Sequence, residues 1–341
     1  MTSDAVQVGG VAVGRIRATI LGLGGTGVNL LDLLHGRLPP TCVPVAVDTD
    51  LERLQTSACL KKVFLQTSLR WGGAGHDPLH ARRAAEQAKS SLLEAVSGSD
   101  LIVILGGLGG GTASGAAPVI SQFLSSQLSS SILGMFTLPL PQENPIIQDQ
   151  AAYALAEMKP KLDLLITFPN GYCAPHDGSL DRCNSMLSES LLGLVDLICS
   201  PCDVNLDLAD LGHCLARGSD GFLLTQSSPA GLEVAVRALL NHPLWLRFNQ
   251  ARARSLMMCI LGGDGVTIAQ AGTSLEMFAN QLPADCLIYW GFDGRPDPKG
   301  LRLVCLATAG PANARALDRH RAFCDFRPLL VSNTPTAHVL V

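Results

Sequence analysis

Two glycine-rich segments and one pair of acids carry most of the chemistry that this sequence offers. Gly22-Leu23-Gly24-Gly25-Thr26-Gly27 satisfies G-x-G-x-x-G, and Asp48 lies 21 residues beyond Gly27. Glycine lets a backbone approach a ligand closely, and a helix that follows offers unpaired N–H groups to a phosphate. The pattern admits a dinucleotide with Asp48 on its ribose, and hence a dehydrogenase, as a first reading; a bare tight turn is the plain alternative. The second segment, Gly106-Gly107-Leu108-Gly109-Gly110-Gly111-Thr112-Ala113-Ser114-Gly115, is mostly glycine. Such a run loses so much chain entropy on folding that a turn alone rarely justifies it. Its N–H groups can form an anion-binding nest, with the Thr112 and Ser114 hydroxyls as further donors. No Lys follows and G-x-x-x-x-G-K-[ST] is found nowhere, so this is not a P-loop. Two cradles on neighbouring strand ends suit a polyphosphate.

The acids lie in Asn205-Leu206-Asp207-Leu208-Ala209-Asp210. Their spacing of three puts Asp207 and Asp210 on one face of a helix, and by pattern alone Asp207 reads as an N-cap. Cys199 and Cys202 form a lone C-x-x-C with His213 and Cys214 downstream, which is weak evidence for zinc or redox chemistry. These cysteines read instead as small buried residues, and no protein-held metal site is expected. His76 reads as a solvated loop residue, and Trp245 and Trp290 as core or subunit contacts.

The elements that must position these residues follow from periodicity. Buried strands are expected at 17–23, 43–50, 100–107, 131–140 and 163–170, with helices over 28–34, 77–96, 115–128 and 148–162 between them. This alternation predicts a doubly wound α/β domain with a mostly parallel sheet. Apolar residues at Leu180, Cys183, Leu187, Leu191, Leu194 and Ile198 predict one long amphipathic helix. Beyond it, strands at 221–227, 255–263, 286–293 and 301–309 and helices at 228–242 and 267–282 predict a smaller α/β domain. Its sheet is expected to be mixed, with the consecutive last strands as a hairpin.

Composition narrows the function classes. The 341 residues are 47% hydrophobic and only 16% charged, which excludes a disordered chain. The net charge is −4 and no basic block occurs, so nucleic acid is not an expected partner. The 11 cysteines have no framework spacing and read as reduced thiols. No basic-then-apolar leader opens MTSDAVQVGG, and no 18 residues run continuously apolar, so a cytoplasmic protein without direct membrane insertion is expected.

GGLGGGTASGAAP closely resembles the signature of the FtsZ/tubulin superfamily, and the likeness continues in the family's order over roughly residues 17 to 310. GLGGTGVN resembles its first nucleotide loop, DTD at Asp48 its second and GGAGHDP at Gly72 its third; TLPLPQEN, ITFPN and VNLDLAD are also similar. The resemblance implies a divergent FtsZ-like prokaryotic GTPase: GTP or GDP with Mg2+, head-to-tail self-assembly, and partners among filament or division proteins. It implies an N-terminal extension 1–16, a GTPase domain 17–179, a central helix 180–199, a catalytic loop and helix 200–220, a second domain 221–312 and a tail 313–341. By the same resemblance Gly24, Gly25, Thr26, Gly27 and Asn29, with Asp48, Gly73, Ala74 and Gly75, surround the nucleotide. So do Gly109, Gly110, Gly111, Thr112, Ala113, Ser114 and Gly115. Glu143 matches the ribose-binding acid and Asn170 a base-proximal amide, while Ile147 stands where an Arg is usual and Ser185 where an Asp reads guanine. Asn184 or Asp181 are the candidates to compensate. Asn205, Asp207 and Asp210 match the N-x-D-x-x-D that polarises a water against the γ-phosphate of the adjoining subunit. A regulator or filament cap that keeps the fold without polymerising is the alternative. The family's C-terminal peptide for membrane tethers is not evident in RPLLVSNTPTAHVLV.

Overall fold

A computed structural model describes residues 6–8, 11–13, 16–69, 72–173, 180–199, 203–204, 206, 208–263, 265–297, 299–310 and 338–340. The chain divides into two compact units, Met1–Met158 and Lys159–Val341.

The first unit opens with an antiparallel pair, β1 (Val6–Val8) and β2 (Val11–Val13). There follow β3 (Ala18–Leu23), α1 (Gly24–Leu33), β4 (Cys42–Asp48), α2 (Leu51–Thr56), β5 (Lys61–Phe64), α3 (Pro78–Gln87) and α4 (Lys89–Ala95). Next come β6 (Leu101–Gly107), α5 (Gly111–Gln127), β7 (Ser131–Leu138) and α6 (Pro145–Met158). The main strands run β7-β6-β3-β4-β5, every pair parallel. From β3 the chain steps to β4 on one side and later to β6 on the other, so the topological switch lies between β3 and β6. The carboxyl ends of those two strands carry the two glycine clusters, where open α/β sheets bind ligands. β3 and β6 read as unbroken apolar runs because both faces are covered; Ile20, Leu21, Ile102 and Ile104 have no exposed surface.

Local signals explain the helix starts. Asp77 accepts the Leu79 N–H and Pro78 takes a position where its missing N–H costs nothing. Asp50 caps α2 by accepting the Arg53 N–H. The helix expected over 77–96 is two: the Ala88 N–H bonds both the Ala84 and Ala85 carbonyls, tightening the last turn of α3 before α4 begins. Strand β5 was not expected, since of Lys61–Phe64 only Val63 is buried and an exposed edge leaves no apolar alternation.

The second unit contains β8 (Leu164–Pro169), α7 (Asn170–Cys173), α8 (Leu180–Cys199), α9 (Leu208–Cys214), β9 (Ser219–Ser227), α10 (Leu232–Leu240) and α11 (Pro243–Arg247). It continues with β10 (Ala253–Leu261), α12 (Ile268–Ala279), β11 (Leu287–Phe292), β12 (Arg302–Ala309) and β13 (His338–Leu340). Its strand order is β13-β11-β10-β12-β9-β8. The sheet is mixed as expected, but β11 and β12 do not form a hairpin. β10 lies between them, parallel to β11 and antiparallel to β12. Two consecutive apolar runs cannot reveal that the chain between them crosses a third strand.

The 20 residues of α8 bury Cys183, Leu187, Leu191, Leu194 and Ile198 of the stripe that the spacing predicts, while Leu180, at the first position of the helix, is exposed. Gly193 lets the helix approach β12: a Cβ there would lie 3.0 Å from Val304 Cγ2. Buried Arg302 on β12 fastens α8 further, donating to Asp196 Oδ2 and to Asp297 Oδ2, each at 2.6 Å. Trp245 and Trp290 are both core residues. Among the described residues no helix is long and apolar enough to cross a membrane.

Candidate functional site

In the first unit the first glycine cluster turns directly from β3 into α1, and the second passes from β6 into α5 through Leu108, Gly109 and Gly110. The caps of α1 and α5 are Leu23 and Gly110, neither supplies a side-chain acceptor, and no acid lies in either first turn. The leading N–H groups are therefore left to an outside acceptor, and the helix dipole favours an anion there. Gly22 and Gly27 hold α1 against the sheet: a Cβ on Gly27 would lie 2.6 Å from the Gly22 carbonyl carbon and 2.8 Å from the Leu105 carbonyl oxygen. The clusters also meet. Gly24, at φ +65°, faces Thr112, whose Cβ would stand 3.1 Å from a Cβ on Gly24, and a Cβ on Gly107 would strike the Thr26 hydroxyl at 2.5 Å.

The other two loops close on this cradle through a residue that sequence reasoning passed over. Buried Thr49 places its hydroxyl 2.7 Å from that of Thr112 and accepts the Gly73 N–H on its carbonyl at 2.9 Å. Thr67 Oγ1 donates to the Gly73 carbonyl. Gly72, Gly73 and Gly75 all have positive φ, and so does His76 at +60°. A Cβ on Gly111 would lie 2.7 Å from that of Ala74 and 3.1 Å from the His76 carbonyl carbon, so the third loop abuts the start of α5. Around Gly73 and Gly110, by contrast, an added Cβ would meet nothing within 4 Å, which leaves the cradle open to a ligand.

Ser114 is buried and its hydroxyl accepts the Gly109 N–H at 2.8 Å, closing the loop on itself. Ala113 packs its Cβ 3.1 Å from the position a Gly106 Cβ would take, so the methyl fills space under the loop, and Gly115 lies against the Pro78 carbonyl. Ile147 covers Gly109. Glu143 Oε1 accepts the Leu140 N–H at 2.7 Å, and the Glu143 carbonyl accepts from Gln148 Nε2.

Asp48 is buried, and desolvation pushes its carboxyl above the ordinary range despite the N–H groups of Asp50 and Thr49 and the charge of Arg53. Its Oδ2 has no hydrogen-bond donor. Arg53 on α2 is the second residue that sequence reasoning missed. Its Nε lies 3.8 Å from Asp48 Oδ2 and its Nη1 donates to Asn29 Oδ1 at 3.0 Å. Only the three-residue step from a capping Asp marks it in the sequence, and an ordinary surface Arg would show the same step.

In the second unit, Asn170 begins α7 as a buried residue with no donor to its Oδ1, and its carbonyl accepts from Cys183 Sγ on α8. Asn184 is half-buried on the next position of α8, and Ser185 and Asp181 are exposed. Asp210 sits in the first turn of α9, half-buried; burial pushes the pKa values of Cys214 and Tyr289 up, and the charge of Asp210 adds to that. Asn205 and Asp207 lie outside the described residues, as does Cys202. The flanking chain is pinned: Val204 and Phe292 exchange both backbone bonds, Asp203 Oδ2 accepts the Gly294 N–H, and Leu206 is buried.

A parallel sheet whose switch point presents two uncapped helix starts defines the class of phosphate-binding α/β proteins. Residues 17–174 match the family model described as Tubulin/FtsZ family, GTPase domain. The cell division protein FtsZ 2 of Halobacterium salinarum is 28% identical over 323 residues, spanning 89% of this chain and 81% of the relative. The FtsZ 2 of Methanocaldococcus jannaschii is 27% identical over 308 residues, 86% and 80% of the two chains. Among solved structures, an FtsZ dimer of M. jannaschii superposes with a TM-score of 0.78 at 25% identity, covering 87% of this chain and 89% of its own. A GTPγS-bound CetZ2 protofilament from Haloferax volcanii reaches a TM-score of 0.68 at 18% identity, covering 91% and 99%. Residues 17–174 are thus a GTPase domain of the Tubulin/FtsZ family, and GTP hydrolysis is the activity of that family's GTPase domain.

Proposed function

We propose that this protein binds GTP, assembles head to tail into protofilaments in the cytoplasm, and completes each hydrolytic site at the junction between copies. The observation that carries this reading is the cradle itself: two uncapped helix starts side by side, with open space beside Gly73 and Gly110. Gly24, Gly25, Thr26 and Gly27, with Gly109 to Thr112 and the third loop from Gly73 to Gly75, would hold the phosphates. Ala113, Ser114 and Gly115 keep the second glycine cluster in shape. Glu143 would meet the ribose. Asn29, Asn170, Asn184 and Ser185 would lie towards the base, and the unpartnered Asn170 Oδ1 fits an N–H donor. Asp48 and Thr112 offer oxygen donors that fit Mg2+, which there would neutralise phosphate charge.

In hydrolysis Asp207 and Asp210 would orient and polarise the attacking water, with Asn205 touching the neighbour's nucleotide. Positioning supplies most of the rate in phosphoryl transfer, and carboxylates hold a water and take up its proton. The functional division that goes with this is the GTPase domain 17–179, the helix 180–199, the catalytic segment 200–220 and a second domain 221–312. Relatives named as cell division proteins support a role in prokaryotic division, alongside other filament or division proteins. GTP turnover across protein concentration tests the shared site: a cooperative onset is expected, with GTP-dependent pelleting. Turnover strictly proportional to concentration would refute it. Binding without pelleting would point to a filament cap.

A further inference from the structure

The cradle is built from backbone amides, which carry only partial charge, whereas a nucleoside triphosphate brings several full negative charges. Among the described residues one cationic side chain reaches the first loop, and it comes from α2, an element the sequence did not single out. A Cβ on Gly25 would lie 3.3 Å from Cζ of Arg53, 3.5 Å from its Nε and 3.6 Å from its Nη1. Gly25 and Asn29 are four apart on α1 and so share a face, and the guanidinium lies along that face. Nη1 is spent on Asn29 Oδ1 and Nε faces Asp48 Oδ2, whereas Nη2 has no hydrogen-bond partner among the described residues. The side chain is 41% exposed, so it is reachable from solvent.

Asp48 explains why the arginine is held there. A buried carboxylate beside an anion site is costly twice, through desolvation and through repulsion of the ligand. The positive charge of Arg53 offsets both. In turn Asp48 and Asn29 fix two nitrogens of a planar fork and leave the third to a further acceptor. An arginine suits this bridging and a lysine does not, because one ammonium cannot face three acceptors in a plane.

We propose that Arg53, positioned by Asp48 and Asn29, is a phosphate-binding residue of this cradle and supplies its side-chain cation. The proposal rests on the nucleotide reading above and adds a residue to it.

The test uses the full chain and a fluorescent GDP analogue as probe, displaced by GTP, GDP or GMP. Wild type, Arg53→Ala, Arg53→Gln and Arg53→Lys are compared, each with a melting curve taken without nucleotide. A charge-assisted contact predicts that GTP binds Arg53→Ala and Arg53→Gln about 10- to 100-fold more weakly. The loss should shrink from GTP to GMP, and the salt dependence of GTP binding should become shallower. Arg53→Lys should lose less. The Gln variant keeps a donor for Asn29 and serves if the Ala variant folds poorly. Unchanged GTP affinity, or an equal loss for GTP and GMP, overturns the assignment of Arg53 while leaving the nucleotide reading intact. A wild-type protein that does not take the probe overturns both.

Discussion

The two units recognise chemistry in different ways. In the first, the phosphate contacts are mainly backbone N–H groups, joined by the proposed Arg53 cation, and other side chains hold loops in place: Thr49 ties the second and third loops to Thr112, and Ser114 closes the second cluster. In the second, the candidate contacts are side chains on helices, namely Asn170, Asn184, Ser185 and Asp210. The difference explains where this chain can diverge. Ala113 and Ser114 depart from the family signature without loss of the cradle, because Ala113 fills space under the loop and Ser114 bonds within it. Ser185 changes an atom that would itself touch the base, and no backbone group can replace a carboxylate there.

The sharpest way to break this contrast is Asp210→Ala. Loss of a water-orienting acid is expected to cut GTP turnover about 10²- to 10⁴-fold while nucleotide binding persists. Turnover within a few-fold of wild type would remove Asp210 from the mechanism. Gly115→Ala probes the backbone side. Its methyl would fall on the Pro78 carbonyl oxygen, well inside van der Waals contact. Overpacking of about 1–3 kcal/mol should lower the melting temperature by about 3–10 °C. An unchanged melting curve would mean that α3 and α5 can separate freely.

Base reading should respond to one atom group. Ser185→Asp would provide an acceptor for both N–H donors of guanine, and a preference for GTP over ITP should rise about tenfold. Competition binding with the two nucleotides decides this, and an unaltered ratio would place the base elsewhere. The smallest effect concerns Asp48. Burial raises its folded-state pKa, so its ionised form costs stability in full above that raised value, and the cost fades as pH falls from there and is gone below the ordinary carboxylate pKa. Asp48→Asn should therefore melt at or above the wild-type temperature at pH 7 and lose that advantage towards pH 4. A variant that is less stable at pH 7 but equal at pH 4 would show that the pairing with Arg53 outweighs desolvation.

Much of the fold was legible because strands β3 and β6 are covered on both faces and α8 buries one stripe. Those conditions write apolar runs and steps of three and four into the chain. Where burial is slight or local cues conflict, legibility fails: β5 exposes three of its four residues, and α3 gives way to α4 within one apolar pattern. The glycine clusters were equally readable, since a positive φ at Gly24 or Gly109 and a close approach at Gly27 leave little choice of residue.

The sequence alone determined the alternation of the main buried strands and helices, the position of the phosphate cradle at two strand ends, and the identity of the candidate acids. Only the tertiary structure decided that β10 separates β11 from β12, that Thr49 joins Thr112 across 63 residues, and that Arg53 reaches Asn29 across 24. Local periodicity reports which face of an element is buried, but not which distant side chain it will meet there. That is settled when the sheet brings the loops to one edge.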